Sequence, residues 1–268
     1  MIYLLELIGI NGIMLGWANS FAETDRTAKY AVTIIAFAVI VIAGYLLGSL
    51  NSAVIVSRAR YKQDIRTFGS GNAGLTNMYR VYGKGGAGLT LLGDVIKQFV
   101  SVTFGIILAG QYGAYVAGLF CIIGHMFPVY YGFKGGKGVL TAATMILMID
   151  PLVFVAVFLI FLVVVLLSRY VSLGSVVAAF SYPAVLYYRS GGQPDMFAMI
   201  FAVFIGLIVI FMHRSNIFRI FNNEESKFSF KKRPDIQKVF DAEDHENDAE
   251  NEYVPELRKK KDGKKKKK

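Results

Sequence analysis

The sequence predicts an all-α, polytopic membrane protein with about seven transmembrane helices, Gly-rich motif loops on the cytoplasmic face and a possible extra N-terminal membrane segment. Two observations predict this class. Of the 268 residues, 54% are hydrophobic and only 18% are charged, whereas an average soluble domain has about 45–50% apolar residues even with glycine counted. In addition, several apolar stretches near membrane-spanning length follow one another, which is typical of a multi-span protein rather than of one buried core.

The predicted spans are seven apolar stretches, and a helix needs about 20 such residues to cross a bilayer. The clearest is the first, which reads AVTIIAFAVIVIAGYLLGSLNSAVIV. The fourth is short, and it would cross only with help from flanking residues or by sharing a turn at Asp150 and Pro151. The stretches cover residues 31–56, 87–110, 112–131, 138–150, 151–168, 171–188 and 194–212.

Basic residues occur in alternate connections between these stretches. Six Lys/Arg lie between residues 57 and 86, and further Lys/Arg follow the third, fifth and seventh spans. The connections at 111–112 and 150–151 contain none, and Arg189 after the sixth span is the exception. Under the positive-inside rule, the basic connections and the C-terminus lie in the cytoplasm, and residue 30 lies outside.

Composition divides the chain into three parts. These are an N-terminal extension of residues 1–30, a transmembrane domain of residues 31–221 and a charged tail of residues 222–268. Residues 1–18 are apolar, but they contain Glu6 and Asn11 and lack the basic start of a signal peptide. An eighth span and an interfacial helix both stay open for this segment.

The tail carries 14 of the 29 Lys/Arg and 12 of the 19 Asp/Glu. These charges form an acidic block at residues 241–252 and a Lys-rich end at residues 258–268. Blocks of like charge without apolar periodicity predict a disordered, solvated segment. The functional alternative is attraction of the Lys-rich end to anionic lipids, at about 1 kcal/mol per cation near the membrane. RNA contact is a further alternative for the Lys-rich end, residues 258–268, but no aromatic residues are interleaved there to stack bases. No nucleic acid partner is therefore expected.

The stretch TFGSGNAGLTNMYR at residues 67–80 imitates a dinucleotide-binding loop. Gly69, Gly71 and Gly74 spell G-x-G-x-x-G, and Asp94 lies 20 positions past the last of them. That motif requires a strand before the glycines and a helix after them in a βαβ unit. Here a predicted span and a basic linker precede the glycines, and Asp94 lies in an apolar helical run. The context therefore argues against a dinucleotide-dependent oxidoreductase.

The stretch GFKGGKG at residues 132–138 imitates a P-loop. It is one residue short of G-x-x-x-x-G-K-[ST], and Gly138 stands where a Mg²⁺-binding hydroxyl is needed. This argues against an ATPase. Cys121 is the single cysteine, so neither an intramolecular disulfide nor a zinc cluster is expected. No metal and no cofactor are predicted.

Both glycine-rich loops nevertheless suit a phosphate group. Glycines free the backbone to turn N–H groups toward an anion, and Arg80 offers a planar fork while Lys134 and Lys137 act as point charges. A tight turn with snorkelling cations is the alternative for either loop alone. Because two such loops are predicted on one face, we favour phosphate binding. The predicted phosphate-binding residues are Ser70, Gly71, Asn72, Thr76, Asn77, Arg80, Gly135, Gly136 and Lys137.

Further polar residues lie at span ends or inside spans. Ser172 begins the sixth predicted span, and His213 and Asn216 share a helical face where the seventh ends. A single histidine at a span end is more often a structural hydrogen-bonder, and the same interpretation applies to His125. Asp94 and Lys97 are three apart in the second span, which predicts an internal ion pair. Ionisable groups in spans are also functional candidates.

Three motifs together resemble those of the bacterial membrane glycerol-3-phosphate acyltransferases that take acyl-phosphate as donor. They are GSGNAGLTN (69–77), GHMFPVYYGFKGGKG (124–138) and HRSNI (213–217), in this order and spacing. The resemblance covers roughly residues 31–225. It implies seven spans in the bacterial inner membrane, with the motif loops on the cytoplasmic side among membrane lipids.

The resemblance also implies a reaction. A fatty acyl group passes from acyl-phosphate to the primary hydroxyl of glycerol 3-phosphate, and lysophosphatidic acid and phosphate are released. This is the first acylation of bacterial phospholipid synthesis, and acyl-CoA and acyl carrier protein are not direct donors. Contact with the soluble enzyme that makes acyl-phosphate is a possible further partnership.

Carried over by position, the family's site residues fall on Ser70 and Arg80 in the first motif. They fall also on four residues expected to be catalytic, which are Lys134, Ser172, His213 and Asn216. In this chain Ser215 replaces a carboxylate that the family often has between His213 and Asn216, and Glu224 or Glu225 could compensate.

No Ser-His-Asp triad and no nucleophile elbow is apparent in the sequence. We therefore expect direct transfer without an acyl-enzyme, with His213 or the substrate's own phosphate as base. A transporter for a small phosphorylated solute is the alternative function. Against it, the cations cluster on one face rather than at mid-membrane. A non-catalytic lipid-binding scaffold is a third interpretation.

Overall fold

The chain folds into apolar helices joined by short loops, as seen in a computed structural model that describes residues 12–20 and 25–228. Across these two ranges the structure contains no β-strand, which confirms the all-α prediction. Two 3₁₀ turns, Ile65–Thr67 and Val129–Tyr131, lie in the motif loops. The helices are α1 (Ile13–Ser20), α2 (Arg26–Ser49), α3 (Ser52–Tyr61), α4 (Leu75–Met126), α5 (Val139–Ile149), α6 (Pro151–Ser168), α7 (Val171–Arg189), α8 (Met196–Met212) and α9 (Arg214–Phe221).

Helix α4 is interrupted at Gly83 and again at Ala109 and Gly110. At the second interruption it reverses direction, so that the segments before and after Gly110 run antiparallel. Gly110 has φ of 58°, in the left-handed region that glycine adopts without a steric penalty. A Cβ on Gly105 would lie 2.1 Å from the carbonyl oxygen of Gly113. Eight residues of continuous helix would separate these positions by about 12 Å. The close approach therefore requires the reversal, and it requires glycine at both contact points.

The protein is a multi-span membrane protein. Each predicted span is largely helical, although the first, residues 31–56, runs from α2 across the break at Leu50 and Asn51 into α3. By length and apolar composition, four helical stretches within the described residues are long enough to cross a membrane, or five if the pair Met196–Met212 and Arg214–Phe221, bent by 53°, forms one span. The long stretch Leu75–Tyr131 contains the reversal, and Val139–Ile149 is a shorter apolar helix. The count of seven therefore stays a prediction.

The outer surface of the bundle is apolar. Leu167 is 83% exposed and Phe180 is 76% exposed, so these side chains lie where lipid tails would surround them. Inside, a single large cluster joins the second half of α4 to α5, α7 and α8, and it includes Tyr115, Met145, Tyr182 and Ile205. This cluster fills the interior on one side of the cavity described below.

The chain ends differ from the sequence-based division in one respect. Residues 1–11 and 229–268 lie outside the described residues, so the predicted depth of the N-terminal segment and the predicted disorder of most of the tail stay predictions. Residues 222–228, assigned to the tail on composition, are part of the folded structure. Helix α1 packs beside α2 and the reversal of α4, where a Cβ on Gly12 would lie 2.5 Å from the Gly110 nitrogen.

Candidate active site

A cavity of about 720 Å³ opens between the motif loops and continues between α5, α6, α7 and α8. Its lining changes from polar to apolar along its length. The polar end contains Arg80, Lys137, Ser172, His213 and Asn216. The apolar end is formed by side chains of four helices, namely Ala142, Ala143, Ile146, Phe154, Val157, Phe158, Phe161, Ala178, Ala179, Tyr182, Ile205 and Val209.

Four helices begin around the polar end without a side-chain cap. Helices α4, α5, α7 and α9 follow Gly74, Gly138, Tyr170 and His213, and none of these four residues makes a side-chain capping bond. By contrast, α2, α3, α6 and α8 are capped by the side chains of Asp25, Asn51, Asp150 and Asp195. Uncapped first turns leave N–H groups without an intrahelical partner, and their partial positive charge favours an anion.

Glu225 organises one side of the polar end. One of its carboxylate oxygens accepts hydrogen bonds from Ser172 Oγ at 2.8 Å and from Asn216 Nδ2 at 2.7 Å, and the other accepts from Arg219 Nε at 2.8 Å. These bonds hold the pKa of Glu225 below its ordinary value, although burial opposes the shift. From the sequence, Glu225 is expected only to compensate for the carboxylate that Ser215 replaces beside His213. The structure assigns it instead to Ser172, Asn216 and Arg219.

Lys137 lines the cavity together with the arginines Arg80 and Arg219. Its Nζ donates to the side-chain carbonyl of Asn216, so the second motif loop contacts α9. The pKa of Lys137 is lowered to about 8. Burial is the largest cause, Arg219 and Arg80 also lower the pKa, and Glu225 opposes the shift. Lys137 is therefore positively charged at neutral pH, but it loses its proton well below the ordinary lysine range.

His213 presents one particular nitrogen to the cavity. Its Nδ1 lies 2.8 Å from the carbonyl oxygen of Val209, and since a carbonyl can only accept, Nδ1 carries the proton. Nε2 is then an acceptor. Burial lowers the pKa of His213 to about 4, with nearby Lys137 adding to the shift. The imidazole is therefore neutral at physiological pH and can accept a hydrogen bond from a substrate hydroxyl.

Some N–H groups of the first motif loop are paired within the loop, and the phosphate-binding role predicted for its residues stays a prediction. Ser70 N–H donates to Asn77 Oδ1 at 2.9 Å, and Gly71 N–H donates to the Phe68 carbonyl at 3.0 Å. Asn77 Nδ2 donates to the same carbonyl at 2.9 Å. Asn77 is 2% exposed and its side chain holds the loop together. Ser70, Asn72 and Thr76 still line the cavity with Arg80, and Gly71 lines a smaller pocket beside it.

In the second motif loop the N–H groups of Gly135 and Gly136 are paired as well, and their predicted role in phosphate binding stays a prediction. Gly135 N–H donates to the Met126 carbonyl at 3.2 Å, and Gly136 N–H donates to the His125 carbonyl at 3.0 Å. A Cβ on Gly136 would lie 2.1 Å from His125 Nε2. These glycines are needed because the loop packs closely on the end of α4. The first turns of the uncapped helices offer further N–H groups that an anion could accept from.

Lys134 lies outside the cavity lining, unlike Lys137. Its side chain is exposed, and its carbonyl lies 3.5 Å from Arg66 Nη1. Arg66 donates a shorter bond, 2.7 Å, to the carbonyl of Tyr131, and Asp64 holds it in place with two oxygens at 2.8 and 3.0 Å. The first motif loop thereby fixes the second. The catalytic role predicted for Lys134 stays a prediction.

A buried ionic cluster supports the wall of the cavity. Lys97 Nζ lies 2.9 Å from Asp94 Oδ1 and 2.8 Å from His125 Nδ1, and it also donates to the carbonyls of Gly48 and Leu50. The predicted Asp94–Lys97 ion pair is therefore confirmed. His125 belongs to the same cluster, which the interpretation of each residue alone missed. Because the ammonium donates to Nδ1, the proton of a neutral His125 lies on Nε2, beside Gly136.

Comparison with known proteins connects this site to a family. The family model for glycerol-3-phosphate acyltransferase matches residues 38–223. A glycerol-3-phosphate acyltransferase of Syntrophotalea carbinolica is 43% identical over 196 residues, which cover 72% of this chain and 97% of that protein. One of Finegoldia magna is 41% identical over 183 residues, which cover 68% and 91%.

Solved structures of the same family also match this chain. A crystal structure of PlsY, an integral membrane glycerol 3-phosphate acyltransferase, in its glycerol 3-phosphate form matches with a TM-score of 0.67 and 35% identity, over 72% of this chain and 96% of that one. The lysophosphatidic acid form matches with a TM-score of 0.64 and 33% identity, over 76% of this chain and 98% of that one.

Proposed function

Since the chain belongs to the glycerol-3-phosphate acyltransferase family, we propose that it transfers a fatty acyl group from acyl-phosphate to glycerol 3-phosphate, giving lysophosphatidic acid and phosphate. The observation that carries this proposal is a single cavity with a cationic end and an apolar end. Both proposed substrates carry a phosphate, and one also carries a fatty chain. The two ends of the cavity suit these two chemistries.

The cationic end suits the phosphate groups. Lys137 and Arg80 supply positive charge there, and the uncapped ends of α4 and α5 add N–H groups. Fixed charges of this kind hold two anions together against their mutual repulsion, and they stabilise the charge that develops on the carbonyl oxygen and on the leaving phosphate. The enzyme's main contribution is then positioning and electrostatic stabilisation.

The apolar end suits the acyl chain. It is lined by small and aliphatic residues of α5, α7 and α8 and by aromatic residues of α6. A chain placed there leaves lipid for another apolar environment, so its burial costs little. The carbonyl of the donor would lie at the junction of the two ends, near Ser172 and His213.

Acyl-phosphate is the donor that this arrangement favours. It is a mixed anhydride with phosphate as leaving group, so it needs no nucleophilic residue to activate it. The glycerol 3-phosphate hydroxyl oxygen forms the new bond to the acyl carbon, and the bond from that carbon to the phosphate oxygen breaks. The leaving phosphate stays beside Lys137 until it departs.

The hydroxyl proton needs a base, and the chemistry favours the substrate. His213, with its pKa lowered to about 4, is a weaker base than a phosphate monoester, whose second pKa is ~6. We assign proton removal to the phosphate of glycerol 3-phosphate. His213 Nε2 is an acceptor, because its Nδ1 is held by the Val209 carbonyl. It accepts a hydrogen bond from the secondary hydroxyl of glycerol 3-phosphate, which orients the primary hydroxyl, and the proton of the primary hydroxyl passes to the substrate phosphate.

Orientation follows from charge. Arg58 and Arg60 lie in the last turn of α3, Arg66 lies in the 3₁₀ turn that follows, and Lys134 lies in the second motif loop. Under the positive-inside rule, the end of the bundle that carries these cations lies in the cytoplasm. We propose that the protein resides in the bacterial inner membrane with the cavity opening to the cytoplasm. Water-soluble glycerol 3-phosphate then reaches the polar end directly. Contact with the soluble enzyme that makes acyl-phosphate belongs to the same proposal.

The decisive experiment compares donors with purified protein in detergent. Acyl-phosphate, acyl-CoA and acyl carrier protein thioester are each offered with glycerol 3-phosphate, and lysophosphatidic acid is measured by mass spectrometry. We expect product from acyl-phosphate alone, with one phosphate released per acyl group transferred. Product only from a thioester would overturn the donor assignment. Binding without turnover in detergent, with uptake by sealed vesicles, would favour a transporter.

The direct-transfer step has its own test. Acyl-phosphate is mixed with the protein without acceptor, and the intact protein mass is recorded over the time of one turnover. We expect no added acyl mass. An acyl adduct that forms as fast as product does would replace direct transfer with a covalent intermediate.

A further inference from the structure

We infer that Tyr182 sets the length of the acyl chain that the enzyme prefers, by closing the far end of the apolar cavity. This inference rests on the proposed function, because it takes the cavity's occupant to be the acyl chain of the donor. Tyr182 is 4% exposed, lines the cavity, and has the largest side chain that α7 contributes to it.

The side chains of α7 along the cavity stay small until this ring. From the polar end inward, after Val171 at the start of the helix, they are Ser172, Ser175, Ala178 and Ala179, and then Tyr182. Ten helical positions separate Ser172 from Tyr182, which corresponds to about 15 Å. The small residues leave a channel along the helix, and the ring interrupts it. The cavity therefore has a defined depth rather than an open end.

The region beyond the ring is packed solid. Leu186, one turn farther along α7, is buried, and so are Ile149 and Val153 at the junction of α5 and α6. These residues belong to the same hydrophobic cluster as Tyr182 and Tyr115. A chain that reaches the ring cannot continue without displacing close-packed side chains, and interiors of this density resist that.

The helix is also held in place at this level, so the ring cannot easily move aside. A Cβ on Gly206 would lie 2.7 Å from the carbonyl oxygen of Ala179, so α8 packs tightly on α7 there. Tyr182 is thus supported from α8 as well as from the core.

The test measures a ratio rather than a rate, because a ratio does not depend on how much protein folds. A mixture of saturated acyl-phosphates that differ by two methylenes competes for wild-type, Tyr182→Ala and Ala178→Leu proteins in detergent, and mass spectrometry counts each lysophosphatidic acid. Because the chain leaves detergent rather than water, the preference comes from fit. A chain two methylenes too long must displace close-packed side chains, and overpacking of this kind discriminates against it on the order of tenfold. For Tyr182→Ala we therefore expect the ratio of the longer to the shorter product to rise on the order of tenfold.

The second variant and the control complete the design. Ala178, one turn nearer the polar end, lines the cavity, so Ala178→Leu should move the preference toward shorter chains. Tyr188→Ala is the matched control, because Tyr188 lies on α7 but is 81% exposed, and its ratio should equal the wild-type ratio. If Tyr182→Ala fails to fold, the chain-length ratio of Ala178→Leu still tests the inference. Unchanged ratios in the folded cavity variants overturn the inference, whereas wild-type protein inactive at every chain length overturns the proposed function.

Discussion

The Ser172 hydroxyl donates a hydrogen bond of 2.8 Å to the carboxylate of Glu225, which lies 53 positions later in the chain. The same carboxylate oxygen accepts from Asn216, and the other accepts from Arg219. Glu225 follows the last matched residue of the family model, residue 223, by two positions. One carboxylate therefore ties α7 to α9 at the polar end of the cavity, and it balances part of the positive charge there.

The first prediction concerns this carboxylate. Glu225→Gln keeps the size of the side chain but removes its charge, which weakens its bonds to Ser172 and Arg219 and leaves the cations around Lys137 less balanced. We expect kcat/KM for glycerol 3-phosphate to fall on the order of tenfold to a hundredfold, a loss of roughly 1.4–3 kcal/mol. Steady-state kinetics in detergent measure it.

The matched control for this change is the neighbouring carboxylate. Glu224 is exposed, and Glu224→Gln should cost less activity than Glu225→Gln. Equal losses in the two variants would show that overall charge matters and that the Ser172–Glu225 bond does not.

The second prediction separates two lysines of one loop. Lys137 lines the cavity and contacts Asn216, whereas Lys134 is exposed and outside the lining. Loss of one cation that stabilises transition-state charge costs about 10²–10³ in kcat, so Lys137→Met should lose at least a hundredfold and Lys134→Met less. The two variants are compared by phosphate release from acyl-phosphate with acceptor present. The reverse order would return the principal role to Lys134.

The third prediction is a loss of activity at high pH. Lys137 is charged below its pKa of about 8 and neutral above it, so phosphate binding weakens as the pH rises through that value. We expect kcat/KM to fall above pH about 8. Because an arginine side chain keeps its charge beyond pH 12, Lys137→Arg should retain some activity and move this decline to higher pH. An unchanged alkaline limb in Lys137→Arg would remove Lys137 as its source.

The fourth prediction identifies the base. With its pKa lowered to about 4, His213 is already neutral at pH 6, so it does not produce an acid limb near that pH. The substrate phosphate, with a second pKa of ~6, does. His213→Gln should lower kcat while the acid limb of the profile stays near pH 6. Disappearance of that limb in the variant would assign proton removal to His213.

The fifth prediction concerns the buried cluster of Asp94, Lys97 and His125. Lys97 and Asp94 are 6% and 2% exposed, so Lys97→Met leaves a buried carboxylate without its cation. Breaking a buried pair in this way costs about 3–5 kcal/mol, and the thermal unfolding temperature in detergent should fall markedly. The double change Asp94→Asn with Lys97→Met removes both charges and should recover part of the loss. No difference between single and double variants would contradict this account.

Much of the fold and part of the site follow from local sequence. Each predicted span is largely helical because apolar composition over about 20 residues is a property of the stretch itself. The three motifs and their order predict the family, which the comparisons confirm. The nine cavity-lining residues among those predicted for the site are Ser70, Asn72, Thr76, Asn77, Arg80, Lys137, Ser172, His213 and Asn216.

The remaining features of the site depend on contacts between residues that are far apart in the sequence. The sequence showed glycines beside cations, but it could not show that the N–H groups of Gly135 and Gly136 bond the end of α4. It placed Lys134 and Lys137 three apart in one loop, and only the packing of Gly136 against His125 directs one lysine inward and leaves the other exposed.

The sequence by itself determined an apolar helical bundle with a phosphate-binding, acyltransferase-like motif set, because helix formation, membrane partition and motif identity depend on neighbouring residues. Tertiary structure alone decided which backbone N–H groups are already paired. It also decided that Glu225 joins the site from the start of the predicted tail and that Tyr182 closes the cavity. Each of these depends on residues tens of positions apart meeting at one place, and no local pattern encodes such a meeting.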